Sequence, residues 1–177
     1  MSADAHKQIF EKTVGSLSPT PQSILDAGSG HTSITILCEM FPNAEIDAII
    51  FPGDERKKSS VARAEQSCKY KLIEADIATT DFAKKYDLTI AHLLLGEAAK
   101  WGNDVPVLLN KLFPITKKYV MIADFPQDPE IDFTAIERLA LGNGFKASKT
   151  IDVPSDPPFA GKTFQGDFYK AVLFERI

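Results

Sequence analysis

Only two residues of the 177 are cysteine, Cys38 and Cys68, and neither stands in a CxxC pair or a Cys/His cluster. That excludes a disulfide scaffold and a zinc site of ordinary spacing, and both thiols read as reduced and packed. No apolar run approaches the ~18 residues that a transmembrane helix needs. The first residues, MSADAHKQIFEKTVGS, lack the apolar stretch of a signal peptide. The expected location is the cytoplasm, with no membrane partner. A basic excess is also missing: 20 Lys and Arg stand against 24 Asp and Glu, a net charge of -4. That counts against a nucleic-acid partner.

What remains is ordinary globular composition, 44% hydrophobic and 25% charged. The length suits one domain of ~100–200 residues, so any cofactor site and substrate site must share one fold. Residues 1–20 read as an N-terminal helix and linker, and residues 22–177 as the core.

The period of the pattern alternates along the chain. Ile9, Phe10, Thr13, Val14 and Leu17 line one side of a helix over residues 3–16, broken by Ser18-Pro19-Thr20-Pro21. Ser23–Ala27 is a short apolar strand that runs into Gly28-Ser29-Gly30. A helix follows, with Ile34, Leu37, Cys38 and Phe41 on one face. Glu45–Phe51 is the second strand, and Asp54 caps a charged helix reaching about Ser67. Tyr70–Ala75 and Leu88–Leu94 are strands three and four, with a loop over residues 95–103. Asp104 caps the next helix, Tyr119–Ala123 is strand five, and a helix over residues 132–141 stops at Gly142-Asn143-Gly144. Lys146–Val153 and Asp167–Arg176 close the chain as two strands joined by a long loop.

Strands alternating with helices predict an α/β fold: a doubly wound, mostly parallel seven-stranded sheet with helices on both faces. The last two strands have no helix between them and predict an antiparallel hairpin at the sheet edge.

The chemistry concentrates at Asp26-Ala27-Gly28-Ser29-Gly30. Glycine lets backbone approach a ligand, and the following helix N-terminus favours polar or anionic groups. The ligand crevice of such sheets lies at the carboxyl ends of the strands. The third glycine of the dinucleotide fingerprint is missing, since His31, Thr32 and Ser33 follow Gly30.

ILDAGSG, Glu74-Ala75-Asp76, the YDLTIAH segment over residues 86–92 and Asn143-Gly144-Phe145 together resemble the class I S-adenosylmethionine-dependent methyltransferases. The resemblance spans residues 22–177, and the order of the motifs carries it. It implies the terminal hairpin and S-adenosylmethionine as cofactor, with S-adenosylhomocysteine as product. It implies that Gly28, Ser29 and Gly30 approach the methionine moiety, that Asp26 serves its ammonium, and that Asp76 with Ile77 holds the adenine. His92 would face the methyl donor, and His31 would contact the cofactor carboxylate or water. The usual ribose-binding acid falls at Phe51, which is apolar; Asp54 is the alternative source of that carboxylate.

For a general base, His92, Glu97 and Asp124 are the candidates. No NPPY-like segment follows strand four, and no set of metal ligands stands out. The stretch Arg56, Lys57, Lys58, Arg63, Lys69 and Lys71 reads as a solvated helix face. Trp101 either lines a pocket or packs under its loop. A methyltransferase this short is close to a bare core, which favours a small-molecule acceptor or one delivered by a protein partner. The alternatives are a non-catalytic module that binds the same nucleosides and a nicotinamide oxidoreductase. The acceptor itself and the oligomeric state are not written in these motifs.

Overall fold

The computed structural model describes residues 3–64, 69–154 and 168–177. Seven strands form one sheet in the order β3-β2-β1-β4-β5-β7-β6. β1 (Ser23–Ala27), β2 (Glu45–Ile50), β3 (Tyr70–Glu74), β4 (Tyr86–His92) and β5 (Thr116–Asp124) are parallel. β7 (Phe168–Arg176) enters antiparallel between β5 and β6 (Phe145–Pro154). The expected doubly wound sheet and its terminal hairpin are both present.

The strands at the centre are apolar on both faces because helices cover both. On one face Ile24, Leu88, Ile90 and Met121 meet Ile9, Phe10 and Val14 of α1 (Ala3–Val14). Ile34 and Leu37 of α2 (His31–Met40) and Val61 of α3 (Glu55–Ala62) complete that layer. On the other face Leu25, Val120, Ile122 and Val172 meet three more helices. These are α4 (Leu95–Lys100), α5 (Val105–Leu112) and α6 (Phe133–Gly142). Helix starts follow local chemistry. Asp54, Asp104 and Asp132 each accept a backbone N–H of the helix they cap. Gly144, at φ +79°, ends the turn after α6 in a conformation that glycine adopts without strain.

Three expectations change. Residues 95–100 form a helix, not a loop; Asp124 receives the free amides of Leu95 and Gly96 at its start. β4 covers 86–92 and ends two residues earlier than the apolar run, because Leu93 turns to φ +53°. The reading of both cysteines as reduced thiols is corrected: Cys38, buried on α2, is disulfide-bonded. Cys68 and the long loop before β7 lie outside the described residues. Among the described residues no helix is long and apolar enough to cross a membrane.

α1 is built into this core: Ile9, Phe10 and Val14 are fully buried. Phe10→Ala should cost ~3–5 kcal/mol, the usual range for emptying a buried aromatic site. Urea denaturation measures it; a loss below ~1 kcal/mol would show α1 to be a peripheral appendage.

Candidate functional site

The carboxyl ends of β1, β2, β4 and β5 converge on the Gly28-Ser29-Gly30 turn. Gly28 sits at φ +77°, where a side chain would be strained; its Cβ would also fall 2.8 Å from Leu94 Cδ1. Leu94 therefore lies directly on the turn, placed there by the left-handed bend at Leu93. Gly30 is different. Its backbone is extended, at φ -149°, and a Cβ there would meet nothing within 4 Å. Neither strain nor packing demands glycine at that position. Ser29 N–H donates to Ile49 and its hydroxyl to the Asp26 carbonyl at 2.6 Å, tying the turn to β1 and β2.

Asp26 is buried on the α1 side of the sheet. One carboxylate oxygen accepts the Ser33 hydroxyl at 2.7 Å, and Oδ1 has no partner. Desolvation pushes its pKa up to about 6, against the lowering pull of the Ser33 bond, the nearby Ser29 hydroxyl and the Lys57 charge. An orphaned, buried acceptor of this kind costs stability until something donates to it.

His92 ends β4 on the same face and is 8% exposed. Its Nε2 lies 3.0 Å from Nδ1 of His6, on α1. Phe10 and Tyr169 meet the His92 ring edge-on, at centroid distances of 5.0 and 5.8 Å. Burial, followed by the charges of His6 and Lys57, holds the His92 pKa well below the usual imidazole range. Burial likewise lowers His6, to about 4. Tyr169, at the start of β7, is fully buried with its hydroxyl unpartnered.

The remaining expected residues divide. Asp124 accepts amides from Leu95, Gly96 and Phe125, so it positions α4 and the following turn. Burial, with the nearby Asp128 adding to it, raises its pKa. Glu97 is held by Arg56 at 2.8 Å and Lys57 at 3.1 Å, a bridge between α4 and α3. Asp54 caps α3 through Oδ1. Asp76 accepts from Ala78 N–H, and Ile77 is buried beside it. Phe51 is 56% exposed at the end of β2, and His31 exposed at the start of α2. Trp101 is exposed rather than packed under a loop. The basic stretch is the expected solvated face, with Arg56, Lys58, Arg63, Lys69 and Lys71 exposed; within it Arg56 and Lys57 also hold Glu97, and Lys58 holds Glu74. Among the described residues no cluster of three His, Cys, Asp or Glu is placed to hold a metal.

Sequence reasoning missed His6, Lys57 and Tyr169. His6 had a signal, since it precedes Ile9 and Phe10 by three and four residues and so shares their apolar face. Two surface grooves, of about 770 and 430 Å³, lie at the amino ends of the strands, at Asp47 and Lys84 and at Pro19 and Asp87. Both are at the opposite end of the sheet from this chemistry.

The fit to a sulfonium nucleoside is therefore partial. Asp26 Oδ1 offers an unmet acceptor for the ammonium, the space at Gly30 is open, and Asp76 keeps a second oxygen free of described bonds. The ribose end has no acid in the usual place.

No family model and no curated protein matches the chain. Solved structures do. The N-methyltransferase NodS of Bradyrhizobium japonicum, in complex with S-adenosyl-L-homocysteine, aligns at TM-score 0.70 with 13% identity, over 98% of this chain and 86% of that one. A TehB-like SAM-dependent methyltransferase of Corynebacterium glutamicum aligns at 0.66 with 15% identity, over 100% and 89%. StiE O-MT aligns at 0.68 with 16% identity, over 98% and 73%. The chain has the class I methyltransferase fold.

The raised Asp26 pKa has a signed consequence. The folded state holds that proton more tightly than the unfolded chain, so its stabilising contribution is complete below pH ~4 and is lost as pH rises through about 6. Relative to Asp26→Asn, the wild type should lose on the order of 2–3 kcal/mol between pH 4 and pH 7.5, at ~1.4 kcal/mol per pKa unit. Denaturation curves at both pH values check it, and a pH-independent difference would contradict the assignment. Tyr169→Phe removes another of the buried unpartnered groups and should raise stability by ~1 kcal/mol in the same assay.

Proposed function

We propose that the chain binds S-adenosylmethionine and transfers its methyl group to a small-molecule acceptor. The observation that carries this reading is the buried, unpartnered Oδ1 of Asp26 beside a glycine turn that leaves Gly30 open. In this reading Asp26 receives the ligand ammonium, directly or through water. Asp76 and Ile77 take the adenine edge, and Phe51 offers an apolar surface where the family usually places the ribose acid. The bound sulfonium supplies an electrophilic methyl group; the protein supplies alignment and a dry site. The likeness of the fold to NodS, whose structure holds S-adenosyl-L-homocysteine, supports the same ligand class.

A small acceptor suits a core whose described residues add only α1 to the sheet and its covering helices. One observation favours the alternative, a binding module without turnover. Asp124 and Glu97, two of the candidate bases, are already engaged by backbone amides and by Arg56 and Lys57. That leaves His92 as the base if there is one.

Calorimetric titration separates the readings. S-adenosylhomocysteine should bind and NAD should not; no heat from either sulfur nucleoside at millimolar concentration rejects the proposal. Affinity should rise as pH passes through about 6, because ionised Asp26 holds the ligand ammonium better than the neutral acid. Gly30→Ala should leave stability within ~0.5 kcal/mol, since its Cβ meets nothing. It should weaken S-adenosylhomocysteine at least ~tenfold by filling ligand space, about 1.4 kcal/mol. Unchanged affinity would move the ligand elsewhere. Binding with no methyl transfer to any cell-extract fraction would favour the module.

A further inference from the structure

Three polar groups share one face at the carboxyl edge of the sheet. Asp26 of β1 pairs in register with Ile90, two residues before His92 on β4. Tyr169, at the start of β7, reaches the same cluster. The Lys57 charge acts on both Asp26 and His92, so the two border one crevice. His92 is nearly enclosed, yet its Nε2 is joined at 3.0 Å to Nδ1 of His6, which is only partly buried. Among the described residues nothing bonds His92 Nδ1. The unpartnered hydroxyl of Tyr169 belongs to a ring packed against both imidazoles, with centroids 5.8 Å from His92 and 6.3 Å from His6. The pair thus joins nearly enclosed His92 to a ring, His6, that is partly open to solvent beside α1.

We propose that His6 and His92 form a two-imidazole proton relay, that α1 is a working part of the site, and that the acceptor is a hydroxyl or amine that sheds a proton when methylated. This rests on the methyl-transfer reading above. The acceptor O–H or N–H bond breaks, and its electron pair stays on the acceptor to form the bond to the methyl carbon. The pair of the broken sulfur–carbon bond remains with sulfur. The proton goes to His92 Nδ1, the Nε2 proton passes to His6 Nδ1, and His6 Nε2 releases one to water. His92 would touch the acceptor; His6 acts through it. The Tyr169 hydroxyl gains in the acceptor the partner it lacks.

The groups facing the pair are few. His6 of α1 and Lys57 of α3 act on His92, while Asp124 of β5 acts on Tyr169. Burial leaves both imidazoles neutral at pH 7. Neutral rings that hold a proton poorly pass it on rather than store it, which suits a wire more than a resting base.

The test uses the full chain labelled with nitrogen-15 histidine, at pH 6–9, with and without S-adenosylhomocysteine. The wild type should show both imidazoles neutral throughout, with a single N–H shared in the His6–His92 bond. His6→Gln keeps a side-chain acceptor for the His92 N–H but cannot carry a proton through. It should slow exchange of the His92 N–H with water at least tenfold while S-adenosylhomocysteine affinity stays within twofold. An unchanged exchange rate in that variant would reduce His6 to a packing residue and overturn the relay. Two wild-type imidazoles titrating independently near the ordinary midpoint would also overturn it, whatever the variant does. Absence of nucleoside binding by the wild type rejects the methyl-transfer reading instead, while the exchange rate still judges the relay.

Discussion

β7 enters the sheet antiparallel between β5 and β6, and the arrangement of both ends of the molecule depends on that pairing. Ala123 lies opposite Ala171, and Asp124 opposite Lys170, so the start of β7 stands beside the carboxyl ends of the parallel strands. Tyr169 arrives there from the last tenth of the chain. The same strand runs on to Arg176, whose guanidinium reaches the carbonyls of Phe113, Thr116 and Lys117 at the other end of the sheet. A parallel seventh strand would bring opposite ends to both places. The edge pair also offers α1 a surface, and α1 in turn carries His6 over His92.

Polarity in this fold is sorted by end. At the amino ends, Asp47 is bonded by Tyr86 and Lys84, and Asp87 receives the amides of Gln22 and Ser23. Those carboxylates are satisfied and serve to fix strand starts. At the carboxyl ends, Asp26 and Tyr169 each keep a buried atom without a partner. A folded chain tolerates few such atoms; two others among the described residues, the hydroxyls of Thr13 and Thr35, sit on α1 and α2, and the pair at Asp26 and Tyr169 lies on the face around His92. Leu93, held at positive φ between His92 and Leu94, adds local backbone strain at the same place.

What could be read from the sequence was what depends on near neighbours. Asp54 and Asp104 were legible as caps because a cap bonds within three residues of itself. The glycine turn, the strand run SILDA and the break after α6 are equally local. The order of periods then fixed the sheet, since handedness and short connections leave few topologies. Three things were not legible. α4 is six residues with no cap of its own side chain, and its first amides are met by Asp124, 28 and 29 positions away. His6 and His92 meet across 86 positions. Arg56 and Glu97 pair across 41, which adds a surface link to a face that is otherwise solvated. Each is a tertiary contact that periodicity cannot encode.

The bridge from Glu97 to Arg56 and Lys57 joins α3, on one face of the sheet, to α4, on the other, across the edge that forms the entrance in the proposed reading. Elsewhere around that entrance the parts are locked by backbone amides or by apolar packing. Arg56 is largely in solvent, and pairs of that kind contribute at most ~1 kcal/mol and are screened by salt. The entrance is thus fastened by its weakest joint. Losing the bridge would leave both helices seated, because Val61 holds α3 in one core layer and Leu95 holds α4 in the other, so ionic strength acts on the link between the helices and not on either layer.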